Sequence, residues 1–208
     1  MYVQQFMKPQ VITVSPDENI LNAVNIMKTK RINRLPVVEK GKLVGIVTDG
    51  DLREASPSAA TSLSKYEVNE LLSKATVKDV STKKVITCSP ETLIEDAALD
   101  MREYKIGALP VLESGQIVGI ISQNDIMDAF LDIMGVRSPG RRIVVEVRDE
   151  LGIMNEVSSV IKEFQLDITN LALYHLPNRM VQIFCRVVGE QTDEAVNALL
   201  EKGYKVVQ

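Results

Sequence analysis

Apolar and polar positions in the first two thirds of the chain repeat at an offset of 74 residues. The run at residues 11–16 (VITVSP) returns at residues 85–90 (VITCSP). Residues 3–56 align with residues 77–130 without a gap, and about 20 of the 54 aligned positions are identical. Because self-similarity of this kind indicates repeated structural units, the segment is predicted to hold two copies of one motif.

Each copy is predicted to contain the elements β-α-β-β-α. A short β-like run ends in Ser15-Pro16 and again in Ser89-Pro90, which predicts a serine N-cap with proline at the first helical position. Glu18, three residues after Ser15, would complete a capping box. Two apolar runs around a glycine-containing turn then predict a β-hairpin, and a second helix is expected after it.

The pattern changes at residue 143, where a strand-like run precedes apolar residues at helical spacing. Two further strand-like runs, a helix and a last strand complete the order βαββαβ, which is that of a ferredoxin-like plait. The expected fold class is therefore α+β or α/β, with tandem β-α-β-β-α motifs and a ferredoxin-like C-terminal domain. We expect motif 1 at residues 1–58, a connector with a short helix at 59–76, motif 2 at 77–134, a linker at 135–142 and the C-terminal domain at 143–208.

Composition and charge argue against several classes of partner. The chain has 24 basic and 28 acidic residues, a net charge of −4 and only 4% aromatic residues, whereas nucleic-acid binders carry basic surfaces and stacking aromatics. No apolar run approaches the roughly 18 residues of a membrane-spanning helix, and residues 1–9 do not resemble a secretory signal. We expect a cytoplasmic protein with no nucleic-acid or membrane partner.

The sequence also contains few of the histidine and cysteine residues that often catalyse reactions or bind metal ions. His175 is the single histidine, and the two cysteines, Cys88 and Cys185, lie far apart among apolar residues, as buried thiols do in a reducing compartment. No Gly-x-Ser-x-Gly, metal-ligand cluster or phosphate-binding loop is present. We expect no catalytic residues, no metal and no required cofactor; an enzyme remains the least favoured alternative.

A hydroxyl followed three residues later by a carboxylate occurs once in each copy, as Thr48 with Asp51 and as Ser122 with Asp125. One interpretation is structural, with the hydroxyl as an N-cap and the aspartate in the first helical turn. The other is a ligand site, in which the hydroxyl contacts a phosphate or ribose oxygen and the carboxylate accepts from two ribose hydroxyls. Because the same pair recurs at the same position in both copies, the ligand-site interpretation is favoured.

The duplicated unit resembles a pair of CBS (cystathionine β-synthase) motifs, a Bateman module, over about residues 1–134. The resemblance is carried by VITVSP, RLPVV and GIVTxxD, each with its second copy. The C-terminal region resembles an ACT domain, mainly through Asp149-x-x-Gly152 before an amphipathic helix. A CBS pair followed by an ACT domain is the layout of the acetoin utilisation protein B-like (AcuB) family.

This resemblance implies a non-catalytic sensor that binds an adenosine-containing ligand in clefts between the repeats. It implies that Asp51 and Asp125 hold ribose, and that Thr48 and Ser122 reach ribose or phosphate. AMP, ADP, ATP, S-adenosylmethionine and NADH all remain open. An adenine slot is implied for apolar and neighbouring positions that are equally suited to a core: Ile12, Thr13, Val14, Leu35, Pro36, Ile86, Thr87, Cys88, Leu109 and Pro110.

The two copies differ where a phosphate would lie. Arg34 of the first copy corresponds to Ala108 of the second, so the clefts are expected to be unequal. Arg34 is either a phosphate contact or a surface charge, and the sequence does not indicate which cleft it enters.

In the ACT-like region the turn with Asp149, Leu151 and Gly152 would present backbone amides to an amino-acid carboxylate. Leu151 stands where that pattern commonly has proline, and Asn170 is a further candidate contact. The alternative is that this domain only dimerises. We expect a homodimer with an unknown protein partner, linked by resemblance to acetoin or central carbon metabolism; a scaffold with empty clefts is the alternative function.

Overall fold

The computed structural model describes residues 1–55 and 74–207. The chain divides into two compact units, Met1–Ile126 and Met127–Gln208. Most of the connector predicted at residues 59–76, including its short helix, lies outside the described residues. What is described there, residues 74–76, leads directly into the second copy.

The first copy begins with a 3-10 turn, Val3–Gln5, and continues with helix α1, Ile20–Lys30. Strands β1, Arg34–Glu39, and β2, Lys42–Thr48, form an antiparallel hairpin that leads into helix α2, Asp49–Glu54. The predicted first strand is reduced to one bridge, between Val14 and Val37. The rest of the predicted order is confirmed.

The second copy repeats this architecture. It comprises α3, Val77–Val80, α4, Ile94–Glu103, the antiparallel hairpin of β3, Ala108–Glu113, and β4, Gln116–Ser122, and α5, Gln123–Ile133. The irregular step in the first hairpin, between Val37 and Val38, recurs between Val111 and Leu112. Two copies of one motif, predicted from the 74-residue offset, are therefore present.

The predicted N-caps at Ser15 and Ser89 are wrong. Helix α1 begins at Ile20, and its N-cap is Asn19, whose side chain accepts from the Leu21 amide at 2.8 Å. The carbonyls of Pro16 and Glu18 accept instead from backbone amides of α3 in the second copy, at 2.9 and 2.8 Å. These long-range bonds keep residues 16–18 out of the helix.

The two copies exchange their N-terminal segments. Lys8 pairs with Ile120 of β4, and the corresponding Thr82 pairs with Ile46 of β2. Val77, from the start of the second copy, is fully buried in the core of the first, beside Val14, Leu35 and Val47. Each copy therefore contributes backbone to the other, and the second copy also contributes Val77 to the core of the first.

The C-terminal unit contains a four-stranded antiparallel sheet in the order β6-β7-β5-β8 with two helices. Its core lies between the sheet and those helices, with Val145, Val160, Ile183 and Leu199 almost wholly buried. The ferredoxin-like βαββαβ arrangement is confirmed. Its elements are β5, Arg141–Arg148, α6, Ile153–Glu163, β6, Asp167–Leu176, β7, Met180–Val188, α7, Thr192–Glu201, and β8, Lys205–Val207.

The linker predicted at residues 135–142 is shorter than expected. Strand β5 already begins at Arg141, because Arg141 and Arg142 continue the ladder opposite Val187 and Arg186 of β7. No helix within residues 1–55 and 74–207 combines the length and apolar character that crossing a membrane requires.

The exchange of segments predicts a specific stability effect. Val77→Ala removes methyl groups from the core of the opposite copy and is expected to destabilise the protein by about 2 kcal/mol, measured by urea unfolding. Val136→Ala, at a position that is 56% exposed, serves as control and should cost less than about 0.5 kcal/mol. Equal effects of the two substitutions would contradict the exchanged core.

Candidate ligand-binding cleft

The two hydroxyl–carboxylate pairs each form a helix-capping arrangement. Asp51 Oδ2 accepts from the Thr48 amide at 2.8 Å and from Thr48 Oγ1 at 2.7 Å, and the Asp51 amide donates back to Thr48 Oγ1. Asp125 Oδ2 accepts in the same way from the amide and hydroxyl of Ser122, at 2.8 and 2.5 Å. The structural interpretation thus holds for both pairs, while each Oδ1 lies outside these bonds.

A third pair of the same geometry occurs at Thr76 and Asp79. Asp79 Oδ2 accepts from the Thr76 amide at 2.9 Å and from its hydroxyl at 2.6 Å, and these hydrogen bonds lower the pKa of Asp79. The capping box is therefore a general device of this fold. A ligand role for Asp125 needs a feature beyond its box.

That feature is a cleft of about 370 Å³ in the first unit. Asp125, which is only 7% exposed, lies at its wall because β4 ends at Ser122 and α5 begins directly after it. The remaining walls come from both copies and include Lys8, Gln10, Ile12, Arg31, Arg34, Pro36, Gly107, Ile120, Ser122, Gln123 and Asn124.

Arg34 supplies a cation with unsatisfied hydrogen-bonding capacity. It opens β1 opposite Thr48, yet its side chain lines the cleft that contains Asp125. The guanidinium packs so closely on Gly107 that a Cβ there would lie 2.7 Å from Arg34 Nη2. Arg34 Nη1 is buried with no hydrogen-bond partner among the described residues, and burial lowers the pKa of this guanidinium.

Lys8 is a cleft residue that the motifs did not identify. Its ammonium lies 3.5 Å from Asp125 Oδ1, the oxygen that the capping box leaves open. A backbone bridge to Ile120 holds this residue beside the cleft. The signal that could have found it is the alignment of the copies, which places Lys8 opposite Thr82.

The residues predicted to form the adenine slot divide between the cleft and the core. Ile12 and Pro36 line the cleft, whereas Val14, Leu35 and Leu109 are buried as core residues. Thr13 is exposed, Pro110 is buried, and Ile86, Thr87 and Cys88 are half-buried.

The backbone around Thr48 and Asp51 in the first copy is equivalent to the backbone around Ser122 and Asp125 in the second. The Asp49 amide donates to the Asn33 carbonyl at 2.9 Å, as the Gln123 amide does to the Gly107 carbonyl at 3.1 Å. The side chains differ more than the backbone, since Thr82 and Ala108 stand where the Asp125 cleft has Lys8 and Arg34.

The candidate contacts in the C-terminal unit do not form one site. Leu151 is fully exposed in the turn before α6, and Gly152 adopts a left-handed conformation with φ of 91°. Asp149 lies near the far end of β6, with Oδ2 3.5 Å from His175 Nε2. Asn170 is five residues from His175, about 17 Å along a strand, and donates to the carbonyls of Asp132 and Ile133 at 3.1 Å. Its amide closes the end of α5.

Across the described ranges, His, Cys, Asp and Glu side chains form no cluster of three or more that could hold a metal ion. Burial raises the pKa of the Cys88 and Cys185 thiols to about 11. Both cysteines are free and protonated at neutral pH.

Comparison with known proteins identifies the family. The CBS-domain family model matches residues 3–58 and 77–132. Together these segments make up more than half of the chain and coincide with the two structural copies. The chain belongs to the CBS-domain family.

Curated relatives include a stand-alone CBS protein and an enzyme. The CBS domain-containing protein YhcV of Bacillus subtilis is 29% identical over 124 residues, which cover 60% of this chain and 81% of YhcV. The inosine-5'-monophosphate dehydrogenase of Korarchaeum cryptofilum is 30% identical over 188 residues. Those residues cover 90% of this chain and 36% of the dehydrogenase, so the chain spans about a third of that relative.

Solved structures share the fold of the first unit. The CBS domain pair of protein MJ0100, in complex with 5'-methylthioadenosine and S-adenosyl-L-methionine, has a TM-score of 0.52 and 30% identity, covering 62% of this chain and 95% of that one. CBSX2 in complex with AMP has a TM-score of 0.54 and 29% identity, covering 64% and 97%. A putative acetoin utilization protein (AcuB) from Vibrio cholerae matches with a TM-score of 0.55 and 24% identity, covering 68% and 98%, which establishes a likeness of fold.

The Thr76 box gives a prediction about pH. Because the pKa of Asp79 lies below its ordinary value of 3.8, its contribution to stability is complete above the unfolded-state pKa. It is lost as the pH falls through the lower folded-state pKa. Thr76→Val removes the hydroxyl donor and should raise the pKa of Asp79 towards 3.8, as measured by NMR titration of the carboxyl carbon. An unchanged pKa would show that the hydroxyl contributes nothing.

Proposed function

We propose that this chain is a cytoplasmic, non-catalytic regulatory protein that binds an adenosine-containing ligand in the cleft between Arg34 and Asp125. The observation that carries the proposal is their combination in one cavity: a nearly buried carboxylate with one oxygen outside its capping box, and a buried guanidinium nitrogen without a hydrogen-bond partner among the described residues. The free, protonated thiols fit a reducing compartment.

The chemistry of the cleft matches the parts of a nucleotide. Asp125 Oδ1 can accept hydrogen bonds from the 2'- and 3'-hydroxyls of a ribose. Arg34 can donate to a phosphate, which would satisfy the buried nitrogen. Ile12 and Pro36 offer apolar surface for a base. A cavity of about 370 Å³ falls in the range of small-molecule sites.

The named ligands of two similar structures point to the same class. The MJ0100 pair is described with 5'-methylthioadenosine and S-adenosyl-L-methionine, and CBSX2 with AMP. All three molecules contain adenosine. This agreement favours a ligand-binding role over the alternative of a scaffold with empty clefts.

A cleft built from both copies supports a role in which the ligand changes the arrangement of the two copies. Arg34 belongs to the first copy and Asp125 to the second, so one ligand would bond to both. A ligand shifts a conformational equilibrium only by its difference in affinity for the two states, and contacts to both copies provide such a difference. The AcuB-like layout makes acetoin and central carbon metabolism the first pathway to test.

Thermal unfolding tests the proposal. The protein is heated with AMP, ADP, ATP, S-adenosylmethionine, 5'-methylthioadenosine or NADH. A ligand at 100 times its Kd should add about 2.7 kcal/mol, or about 5–10 °C in Tm for a chain of this size. Asp125→Ala should abolish that shift, because it removes the carboxylate acceptor for ribose.

Asp79→Ala is the matched control. It removes a carboxylate with the same box geometry outside the cleft, so it should lower the basal Tm as Asp125→Ala does while keeping the ligand shift. Asp51→Ala tests the corresponding hydroxyl–carboxylate pair of the first copy in the same way. A flat ligand panel, or a shift that survives Asp125→Ala, would reject the Asp125 cleft as the site.

We also propose that the ACT-like C-terminal unit forms a homodimer through β6. This ten-residue strand lies at the edge of the sheet, and edge strands present unpaired backbone groups for strand addition. Leu171 and Leu173 on it are 46% and 47% exposed. Antiparallel pairing of two β6 strands about Leu171 would place Asp167 of each protomer opposite His175 of the other.

The variant Leu171→Lys/Leu173→Lys places like charges at this edge and should convert a dimer to a monomer, measured by light scattering after size exclusion. Leu151→Lys is the control, because Leu151 is a fully exposed leucine in the turn before α6 and is not part of β6. A wild-type monomer, or a double variant that stays dimeric, would refute pairing through β6.

A further inference from the structure

The side chain of Lys8 is paired with Asp125 Oδ1, the oxygen that would accept hydrogen bonds from a ribose. Its ammonium lies 3.5 Å from Asp125 Oδ1, while Oδ2 is bonded within the capping box. We propose that Lys8 is a displaceable counter-ion of Asp125 that makes this cleft select phosphorylated adenosine ligands over uncharged ones. The proposal rests on the proposed function of the cleft.

The backbone holds Lys8 in place while its side chain stays free to move. The Lys8 amide donates to the Ile120 carbonyl at 2.9 Å, and the Ile120 amide donates back to the Lys8 carbonyl at 3.0 Å. The lysine side chain is nevertheless 69% exposed, against 8% for Asp125. A ligand can therefore displace the ammonium without disturbing the pairing of the two copies.

Displacement creates the charge selectivity. Once ribose hydroxyls bind Asp125 Oδ1, the Lys8 ammonium is displaced from that oxygen within the cleft that Arg34 also lines. Arg34 Nη1 has no hydrogen-bond partner among the described residues. An uncharged adenosine would bring no anion to pair with the displaced ammonium or with Arg34. A phosphate on the same adenosine would supply one, because charge-assisted bonds to phosphate are stronger than bonds between neutral groups.

The other copy provides an internal comparison. Thr82 pairs with Ile46 as Lys8 pairs with Ile120, so the backbone is equivalent while the charge is absent. Ala108 replaces Arg34, and Asp49, which is paired with Arg53 at 3.0 Å, replaces Gln123. Lys84 in place of Gln10 offsets part of this difference. The side of Asp51 is thus less positive, and the selectivity is assigned to the Asp125 cleft alone.

Calorimetric titration of AMP and adenosine tests this assignment, since the two ligands differ by the phosphate. All proteins carry Asp51→Ala, so that the Asp125 cleft alone reports. Lys8→Thr, the residue of the other copy, should weaken AMP about tenfold, the size of one charge-assisted contact, and change adenosine less than about twofold. Lys42→Thr, which removes an exposed lysine from the first hairpin, should change neither.

The outcomes separate this inference from the proposed function. If Lys8→Thr tightens both ligands equally, Lys8 is only a competitor for Asp125, and the inference is overturned. It is also overturned if the ratio of AMP to adenosine affinity stays the same, although the cleft would still be a nucleotide site. If neither ligand binds before Lys8 is changed, and ATP does not bind either, the proposed function of this cleft fails together with the role of Lys8.

Discussion

The exchange of N-terminal segments between the two copies is the constraint on which the first unit depends. Each copy by itself offers a two-stranded hairpin and short helices, and such a hairpin is only marginally stable alone. The bridges from Lys8 to Ile120 and from Thr82 to Ile46 complete each hairpin with backbone from the other copy. The same N-terminal segments contain Val3 and Val77, which are both fully buried. A cleft at this junction has to be built from both copies.

Symmetry of the backbone and asymmetry of the side chains then have separate roles. The capping box recurs at Thr48, Ser122 and Thr76 with nearly the same distances, which marks it as a way of starting helices. The two copies differ in charge, because Thr82 and Ala108 are the uncharged counterparts of Lys8 and Arg34. In the proposed function, the fold supplies the position of the ligand cleft, and a few residue differences between the copies decide the charge of that cleft.

Local patterns predicted much of this arrangement and failed where distant partners decide. Patterns within short segments were enough to predict the repeat, the hairpins, the ferredoxin-like order and the hydroxyl–carboxylate pairs. The cap at Ser15 failed because the carbonyls of Pro16 and Glu18 bond to α3. Lys8 was not predicted because its partner Asp125 lies in the other copy, and only the alignment of the copies marks Lys8 as a position where they differ in charge. Asn170 suited a ligand contact in sequence, but its amide closes the end of α5.

Under the proposed function, Arg34 would prepare the cleft for an anion before one binds. A buried donor without a partner costs about 1–3 kcal/mol, and the close approach to Gly107 holds this one in place. An anion that accepts a hydrogen bond from Arg34 Nη1 would therefore offset a cost of this size. Lys8 has the opposite character, since it already has a partner in Asp125 and must exchange it. One cation is therefore closely packed and unpaired, whereas the other is exposed and already paired. If the proposed function holds, a ligand with both a ribose and an anionic group would engage the two together.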